Sequence, residues 1–194
     1  MTEFRAWILL LTVPLLVVAL FLWLAPPRHN PFAPIDLTDK LGLGTHAKLE
    51  RARTHREVCF SALDSAGILY TPLEDAPKSE KCGLRNALTL DRTLTPYSAT
   101  LQMTCAETAA LYTWERHVAR PAAVDILGSP LARIETYGSF SCRNIAGSGR
   151  LSEHARANAV DISGFRLEDG RLIDVKSHWK QGGPEAKFLK RVHK

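Results

Sequence analysis

A chain of 194 residues, of which 45% are hydrophobic and 23% are charged, is long enough for one globular domain with a buried core. This composition excludes collagen-like, coiled-coil and disordered proteins. The formal net charge is +5, and the basic surplus lies between Lys176 and Lys194, so that no basic stripe with interleaved aromatic residues covers the rest of the chain. We therefore expect no nucleic-acid binding.

The first predicted element is a transmembrane helix. Residues 6–25 carry no charge, and at about 1.5 Å per residue they match the roughly 30 Å hydrocarbon core of a bilayer. The alternatives are a buried core helix and a cleavable signal peptide, but the run is apolar on all sides and long for a signal peptide. The predicted domains are a membrane anchor over 1–25, a linker rich in Pro, Asn and Asp over 26–44, and a globular domain over 45–194.

Cysteine usage bears on the compartment. The four cysteines have no C-x-x-C spacing, and they are Cys59, Cys82, Cys105 and Cys142. Such cysteines form disulfides or stay as inert thiols according to the compartment. The simplest topology places the cysteine-bearing domain outside the membrane. In a bacterium this predicts an inner-membrane protein whose domain lies in the periplasm and contains two disulfides. Of three possible pairings we expect Cys59–Cys82, which closes a short local loop, and Cys105–Cys142, which ties a capped helix to a strand.

The globular domain is predicted to be α+β, with a small antiparallel sheet and helices packed on one side. Helices are expected over 45–49 and 57–66, the second ending at Gly67 in the left-handed conformation, and a strand is expected over 68–73. Residues 88–94 and 97–101 have the character of irregular strand or loop.

The best-marked helix follows. Thr104 to Glu107 matches a capping box, and apolar residues then recur on one face until Pro121. Residues 122–127 add one or two turns, and 132–142 is predicted to be a strand. Residues 160–167 and 172–175 are predicted to form a hairpin around Asp169-Gly170, and a last amphipathic helix is expected after Gly183-Pro184.

His154 and Asp161 are candidate zinc ligands, since both residue types bind zinc at about 2.0–2.2 Å. Seven residues would separate them by about 10 Å on a helix and about 23 Å on a strand, so they can share an ion only if the chain folds back between them. Small residues at Ala155, Ala157 and Ala159 make such a bend sterically possible. The alternative is a surface histidine and an aspartate that caps a turn.

Two family signatures fit this stretch. The run from Ser152 to Asp161, S-E-H-A-R-A-N-A-V-D, resembles the S-x-H-x-x-G-x-A-x-D signature of zinc D-alanyl-D-alanine carboxypeptidases and dipeptidases, with Ala157 in place of the glycine. More specifically, Cys142-Arg143 followed by this run and I-S-G-F is similar to the bacterial extensin-like C-terminal domain family. That likeness covers about residue 45 to the C-terminus and includes R-P-A-A-V-D-I-L-G at 120–128.

The resemblance implies a zinc-peptidase-like fold that acts at the cell wall, with peptidoglycan or a cell-wall peptide as partner. It implies that His154 and Asp161 are zinc ligands and that Ser152 is a nearby hydrogen-bonding residue. Arg143 then becomes the candidate cation for a substrate carboxylate or oxyanion, and Arg143 and Ser152 are the catalytic candidates.

The resemblance also leaves ligands unaccounted for. Those peptidases take a third ligand and a catalytic glutamate, or an H-x-H pair, from a segment further downstream, and this sequence contains no such motif. His178 and His193 are alternatives, although a histidine near a turn is usually solvated and one in a last helical turn stabilises that helix end. Glu153 and Glu168 are conceivable general bases, but solvated positions explain them equally well.

We therefore expect a C-terminally incomplete or degenerate family member that binds zinc weakly and does not measurably hydrolyse muropeptides. Catalytic zinc sites usually take three protein ligands and leave a fourth position to water. Two functions follow from different classes. One is a membrane-tethered zinc peptidase acting on peptidoglycan peptides, and the other is a non-catalytic cell-wall-binding domain with the same fold.

Overall fold

The computed structural model describes residues 2–77, 79 and 82–193. Within these residues the helices are α1 (Thr2–Leu24), α2 (Thr45–Thr54), α3 (Arg56–Ser65), α4 (Cys105–Trp114), α5 (Arg120–Ala122), α6 (Val175–His178) and α7 (Gly183–Val192). The strands are β1 (Leu69–Pro72), β2 (Ala76–Pro77), β3 (Gly83–Leu84), β4 (Ala87–Arg92), β5 (Pro96–Thr104), β6 (Leu131–Gly138), β7 (Asp161–Leu167) and β8 (Leu172–Asp174). Met1 and Lys194, the outer bounds of the predicted domains, lie outside the described residues.

The α+β prediction is confirmed, but the prediction of a purely antiparallel sheet is wrong. Six strands form one sheet in the order β1-β4-β5-β6-β7-β8, and β2 and β3 form a separate two-stranded sheet. Every pair in the large sheet is antiparallel except β5 and β6, which are parallel at Tyr97 and Ile134. Parallel neighbours need a crossover connection, and the long helical segment after β5 supplies it.

Among the described residues, no helix is both long and apolar enough to cross a membrane. The predicted anchor over 6–25 falls partly on residues whose side chains lie outside the described part of the chain.

The segment predicted to be a linker contacts α2 through two basic side chains. Lys48 Nζ donates to the carbonyl oxygen of Pro27 at 2.7 Å, and Arg51 Nη2 donates to that of Ala33 at 2.7 Å. Lys48 is buried. Residues 27–33 are therefore held against the first helix of the predicted globular domain.

The helix boundaries follow the capping signals at α3 and α4, whereas the prediction for the first helix, over 45–49, is too short because α2 continues to Thr54. Gly67 has a φ of +69° and ends α3 as predicted, and Thr104 Oγ1 accepts a hydrogen bond from the Glu107 amide at 3.1 Å. The expected turns over 122–127 are present, and the helix runs into them past Pro121 without a break. The Arg120 N–H bonds to the Glu115 carbonyl in a π-helical turn over Glu115–Ala119, and the helix continues through α5 and a second π-helical turn to Leu127. The wider turn accommodates the proline.

The strand predictions hold best where turn residues mark them. β7 and β8 form the expected hairpin, and Gly170 in its turn has a φ of +90°. The segments expected to be irregular strand or loop are the antiparallel strands β4 and β5, and their register shifts between Leu90 and Arg92. The strand predicted over 132–142 ends at Gly138, because the chain turns away there with a φ of +112°.

Among the described residues the core has two large clusters, which meet at Tyr97 and Trp114, and a small third cluster of Leu84, Ala87 and Ala157. The first cluster joins α3 and α4 to β4 and β5, and its fully buried side chains include Leu63, Leu88, Leu90, Leu101 and Met103. The second joins the π-helical segment and α7 to β6, β7 and β8, and it includes Ile134, Phe165, Ile173, Phe188 and Leu189. The parallel contact of β5 with β6 thus makes one sheet from two packed halves.

Two disulfides form as expected, but the predicted pairing is wrong. Cys59 bonds to Cys105, with Cα atoms 6.1 Å apart, and Cys82 bonds to Cys142, with Cα atoms 5.9 Å apart. The first pair lies in the buried contact between α3 and α4. The second ties the start of β3 to the chain after β6. Loop length favoured other partners, whereas helix packing and the path after β6 determine these.

Candidate functional site

The candidate residues lie in the connection between β6 and β7. These strands are antiparallel neighbours, and Gly138 at the end of β6 is the register partner of Asp161 at the start of β7. The two ends of the intervening segment are therefore adjacent. A chain that leaves β6 and returns to β7 must fold back on itself, which is the bend that a shared site for His154 and Asp161 requires.

A short 3-10 helix, Glu153–Arg156, places the histidine. Ser152 caps it, since its Oγ accepts a hydrogen bond from the His154 amide at 3.4 Å. Ala157 ends it in the left-handed conformation with a φ of +55°. The carbonyl of Ala157 accepts a hydrogen bond from the Thr104 amide at 2.8 Å, so the bend is fixed to the end of β5.

His154 is oriented by a backbone carbonyl. Its Nδ1 lies 2.5 Å from the carbonyl oxygen of Ser139, and because a carbonyl only accepts, Nδ1 carries the proton. Nε2 lies 3.3 Å from Asp161 Oδ1. The ring is mostly buried, with 12% of the side chain exposed, whereas 53% of the Asp161 side chain is exposed. The predicted proximity of the two residues is confirmed.

Arg143 completes the cluster on the solvent side. Its Nη2 lies 3.9 Å from Asp161 Oδ2, and about half of each side chain is exposed. The Arg143 carbonyl accepts a hydrogen bond from the Ser152 amide at 3.1 Å, which links the arginine to the cap of the 3-10 helix. The structure therefore brings three of the four candidates together. Ser152 is buried and acts as the helix cap.

The disulfide Cys82–Cys142 holds the residue next to Arg143. Ser139 Oγ donates to the Gln102 carbonyl at 2.7 Å, and the Ser141 amide donates to the His154 carbonyl at 3.0 Å. The site is thus positioned by backbone contacts and one covalent bond.

The other candidate ligands have different partners. His178 Nδ1 lies 3.0 Å from the Asp174 amide nitrogen at the start of α6, and the His193 ring packs against Trp179. Glu153 contacts Arg156 and Asn158. In the described part of the chain, no three or more His, Cys, Asp or Glu side chains are grouped so as to hold a metal ion.

Two features of the site were not predicted. The carbonyl of Ser139 has no sequence signal, because any residue supplies one. Glu107 was interpreted only as a capping-box residue, yet it is close enough to Glu153 and His154 for their charges to act on it. Burial raises the pKa of Glu107, the Glu153 carboxylate raises it further, and the charge of His154 opposes the shift. A carboxyl group in the first turn of a capped helix is too common to reveal this.

The donor set fits one part of a zinc site. Two ligands at about 2.1 Å from a tetrahedral ion are about 3.4 Å apart, which agrees with the observed 3.3 Å between Nε2 and Oδ1. Histidines that bind zinc usually donate their other ring N–H to a carbonyl or carboxylate, as His154 does to Ser139. Chemically, the cluster offers one imidazole nitrogen, one carboxylate and one nearby guanidinium.

A family model described as extensin-like protein C-terminus matches residues 57–194. No curated protein and no solved structure matches the chain. The matched range begins in α3 and includes the large sheet, both disulfide partners of each pair and the whole connection between β6 and β7.

Proposed function

The chain belongs to the extensin-like C-terminal family, and from that premise we propose that it is a cell-wall-associated protein whose His154 and Asp161 supply two ligands of a zinc site acting on peptidoglycan peptides. The observation that carries the proposal is the convergence of His154 Nε2 and Asp161 Oδ1, 3.3 Å apart, with Nδ1 occupied by a carbonyl. These two residues are seven positions apart in the sequence, and only the capped bend brings them together. The resemblance of this run to zinc D-alanyl-D-alanine peptidases supports the same assignment.

Each residue has a distinct role in this proposal. Zinc, when bound, polarises a scissile carbonyl and lowers the pKa of water toward about 7. His154 is held as the tautomer with a free Nε2 lone pair, and Asp161 offers a carboxylate oxygen beside it. About half of the Arg143 side chain is exposed, so its guanidinium is accessible to the carboxylate of a peptide substrate, with which it pairs in a planar fork. Ser152 is a positioning residue for His154.

A non-catalytic cell-wall-binding domain is the second candidate. The observation that favours it is that, among the described residues, the cluster offers only two ligands of the expected types. In that case Arg143 serves recognition, and the fold is kept without turnover.

Localisation in the bacterial periplasm, with residues 6–25 in the inner membrane, is part of the proposal. The two disulfides support it, because disulfides persist in oxidising compartments. The uncharged, apolar sequence of 6–25 supports the anchor. Fractionation of bacterial cells with and without carbonate extraction tests both parts.

The zinc assignment is tested by titrating the metal-free full chain with zinc by calorimetry. We expect weak binding to the wild type and a loss of about tenfold or more in Asp161→Asn and in His154→Ala, since even indirect contacts to a zinc ligand are worth that much. Glu168→Gln is the matched control, because it removes an exposed carboxylate outside the cluster and should bind zinc like the wild type. Equal binding by all four proteins would refute the assignment.

Muropeptide digestion followed by mass spectrometry separates the two candidate functions. Cleavage by the wild type that is lost in Asp161→Asn and kept in Asp125→Asn, which removes an exposed carboxylate outside the connection between β6 and β7, supports the peptidase. Retention of muropeptides on the immobilised chain without cleavage supports the binding domain.

A further inference from the structure

A cavity of about 500 Å³ lies beside the 3-10 helix. Glu153 and Arg156 line it from one face of that helix, whereas His154, Asp161 and Arg143 do not line it. Its volume falls within the range of about 300–1,000 Å³ that is typical of small-ligand sites. The capped bend therefore presents one face to the candidate zinc ligands and another to this cavity.

The charge of the lining is positive. Arg53, Arg85 and Arg156 contribute guanidinium groups, and Glu153 is the one carboxylate among the described lining residues. Arg53 pairs with Glu50 at 3.0 Å and Arg156 pairs with Glu153 at 3.3 Å. Both pairs are exposed, and exposed pairs contribute at most about 1 kcal/mol, so a ligand carboxylate can replace the partner of either arginine. Three arginines in one concave surface raise the local concentration of anions.

The uncharged part of the lining suits a peptide. Asn86 and Asn158 place side-chain amides in the lining, and a peptide group complements an amide. Asn86 Oδ1 accepts from Arg56 at 3.4 Å and Asn158 Nδ2 donates to Glu153 at 3.1 Å, and both contacts are exposed, so a peptide group can replace these partners. Among the described lining residues there is no aromatic side chain on which a base or a sugar ring would stack. Carboxylates are matched by the planar fork of arginine.

The walls are held in place before any ligand binds. Cys82 and Cys105 line the cavity, and each belongs to a different disulfide. Asn158 Nδ2 donates to Glu153 Oε2 at 3.1 Å. The backbone N–H of Asn86 donates to Asp75 Oδ1 at 2.9 Å. A site that is already ordered loses less conformational entropy on binding.

We infer that this cavity binds a peptide that carries carboxylates, at a place separate from the pair His154 and Asp161. The inference rests on the proposed function only for the source of the peptide, a peptidoglycan stem peptide. Binding here would hold an acidic segment of a cell-wall peptide while another part of it reaches Arg143 and Asp161.

The test measures binding of a fluorescein-labelled Ala-Glu-Glu tripeptide to the full chain by fluorescence anisotropy, with the Ala-Gln-Gln amide as the uncharged analogue. We expect the double variant Arg85→Gln/Arg156→Gln to weaken binding of the acidic peptide by about tenfold or more, since two charge-assisted hydrogen-bonding groups are lost. Arg150→Gln is the matched control, because Arg150 is exposed in the same connection and does not line the cavity. It should bind within twofold of the wild type.

Asp161→Asn separates this inference from the zinc site. Its binding of the acidic peptide should stay within twofold of the wild type even if its zinc binding is lost, so failure of the zinc assignment and failure of this inference give different results. Equal binding of the Gln-containing analogue, unchanged binding in the double variant, or loss of binding in Asp161→Asn would each overturn the inference. Full displacement of the peptide by an equal concentration of inorganic phosphate would overturn it as well, because it would indicate a site for simple anions.

Discussion

The packed sheet and the connection between β6 and β7 are stabilised in different ways. Side chains such as Leu63, Leu88 and Leu101 are completely buried between α3, α4 and the sheet. By contrast, residues 141–150 are all exposed, and the connection is held by the disulfide Cys82–Cys142, a helix cap and a few backbone hydrogen bonds. The candidate site is therefore built on the part of the chain with little apolar burial.

This difference separates stability from site geometry. Hydrophobic burial contributes about 25 cal/mol per Å² and dominates the free energy of unfolding, so changes in the sheet should act on the whole fold. Changes in the connection should act first on the position of His154, because regions with few buried contacts open locally without global unfolding.

Removal of each disulfide gives the largest expected effect. Cys59→Ala/Cys105→Ala should lower the free energy of unfolding by about 4 kcal/mol, the chain-entropy value for a loop of this length. Cys82→Ala/Cys142→Ala opens a longer loop and should cost about as much, and it should in addition raise hydrogen exchange selectively in the connection, because that segment can open while the sheet stays folded. Urea titration and exchange mass spectrometry measure the two effects. Uniform exchange in both variants would contradict the distinction.

The same contrast determines what the sequence could predict. Local signals correctly predicted the ends of α3 and the start of α4, and the hairpin at Gly170, because caps and tight turns depend on a few neighbouring residues. The seven-residue spacing of His154 and Asp161 required a bend if the two were to share an ion, since no regular element can bring them together. The family resemblance favoured that interpretation over a surface histidine, and the 3.3 Å contact agrees with it.

Long-range packing explains the failures. The disulfide partners, the parallel contact of β5 with β6 and the π-helical form of the turns on either side of Pro121 depend on which elements meet in space. Ser152 was expected near the site as a hydrogen-bonding residue, and its actual contact, the cap of a four-residue 3-10 helix, could not be deduced from its residue type alone.

Replacement of Glu115, a buried carboxyl group outside the connection between β6 and β7, should give the next largest effect. Glu115 is fully buried, and its Oε2 accepts hydrogen bonds from the hydroxyl groups of Thr93 and Tyr97. Glu115→Ala leaves both hydroxyls without this acceptor and should destabilise the fold by about 1–3 kcal/mol, measured by urea unfolding. Thr113→Ala is a control on the preceding helical turn that removes a hydroxyl bonded only to its own helix. A loss no larger than that of the control would contradict the role of Glu115.

The pH dependence of stability tests the charge of the same group. Burial raises the pKa of Glu115, and its hydrogen bonds from hydroxyl groups oppose the shift only in part. Between the unfolded and folded pKa values the folded state holds more protons, so stability should fall as the pH rises above about 4.5 and through the raised pKa. Glu115→Gln keeps an acceptor for both hydroxyls and should remove this decline. Parallel pH profiles of urea midpoints for the two proteins would contradict it.

Loss of the cap of the 3-10 helix, in the connection between β6 and β7, should have a smaller effect. Ser152→Ala removes the acceptor of the His154 amide and should cost about 1 kcal/mol, since loss of an N-cap costs about 0.5–2 kcal/mol. Because the cap positions His154, zinc affinity should fall in the same variant while the exchange of amides in β4 and β5 stays unchanged. Ser148→Ala, also in the connection but outside the cap, is the control. Normal zinc affinity in Ser152→Ala would show that the cap does not position the histidine.

The smallest expected effect is at Ala157, where two terms oppose each other. Its left-handed conformation, with a φ of +55°, costs a residue with a Cβ about 1–2 kcal/mol, and glycine would relieve this strain. Glycine would also lose the burial of a fully enclosed methyl group, which costs about 0.8 kcal/mol. Its greater conformational entropy would stabilise the unfolded state by about 0.5–1 kcal/mol. These terms nearly cancel, so Ala157→Gly should change the free energy of unfolding by less than about 0.5 kcal/mol. Ala157→Val should be strongly destabilising, because a β-branched residue fits neither the conformation nor the packed space between Leu84 and Ala87. Equal urea midpoints for the glycine and valine variants would contradict the conformation that brings His154 back toward Asp161.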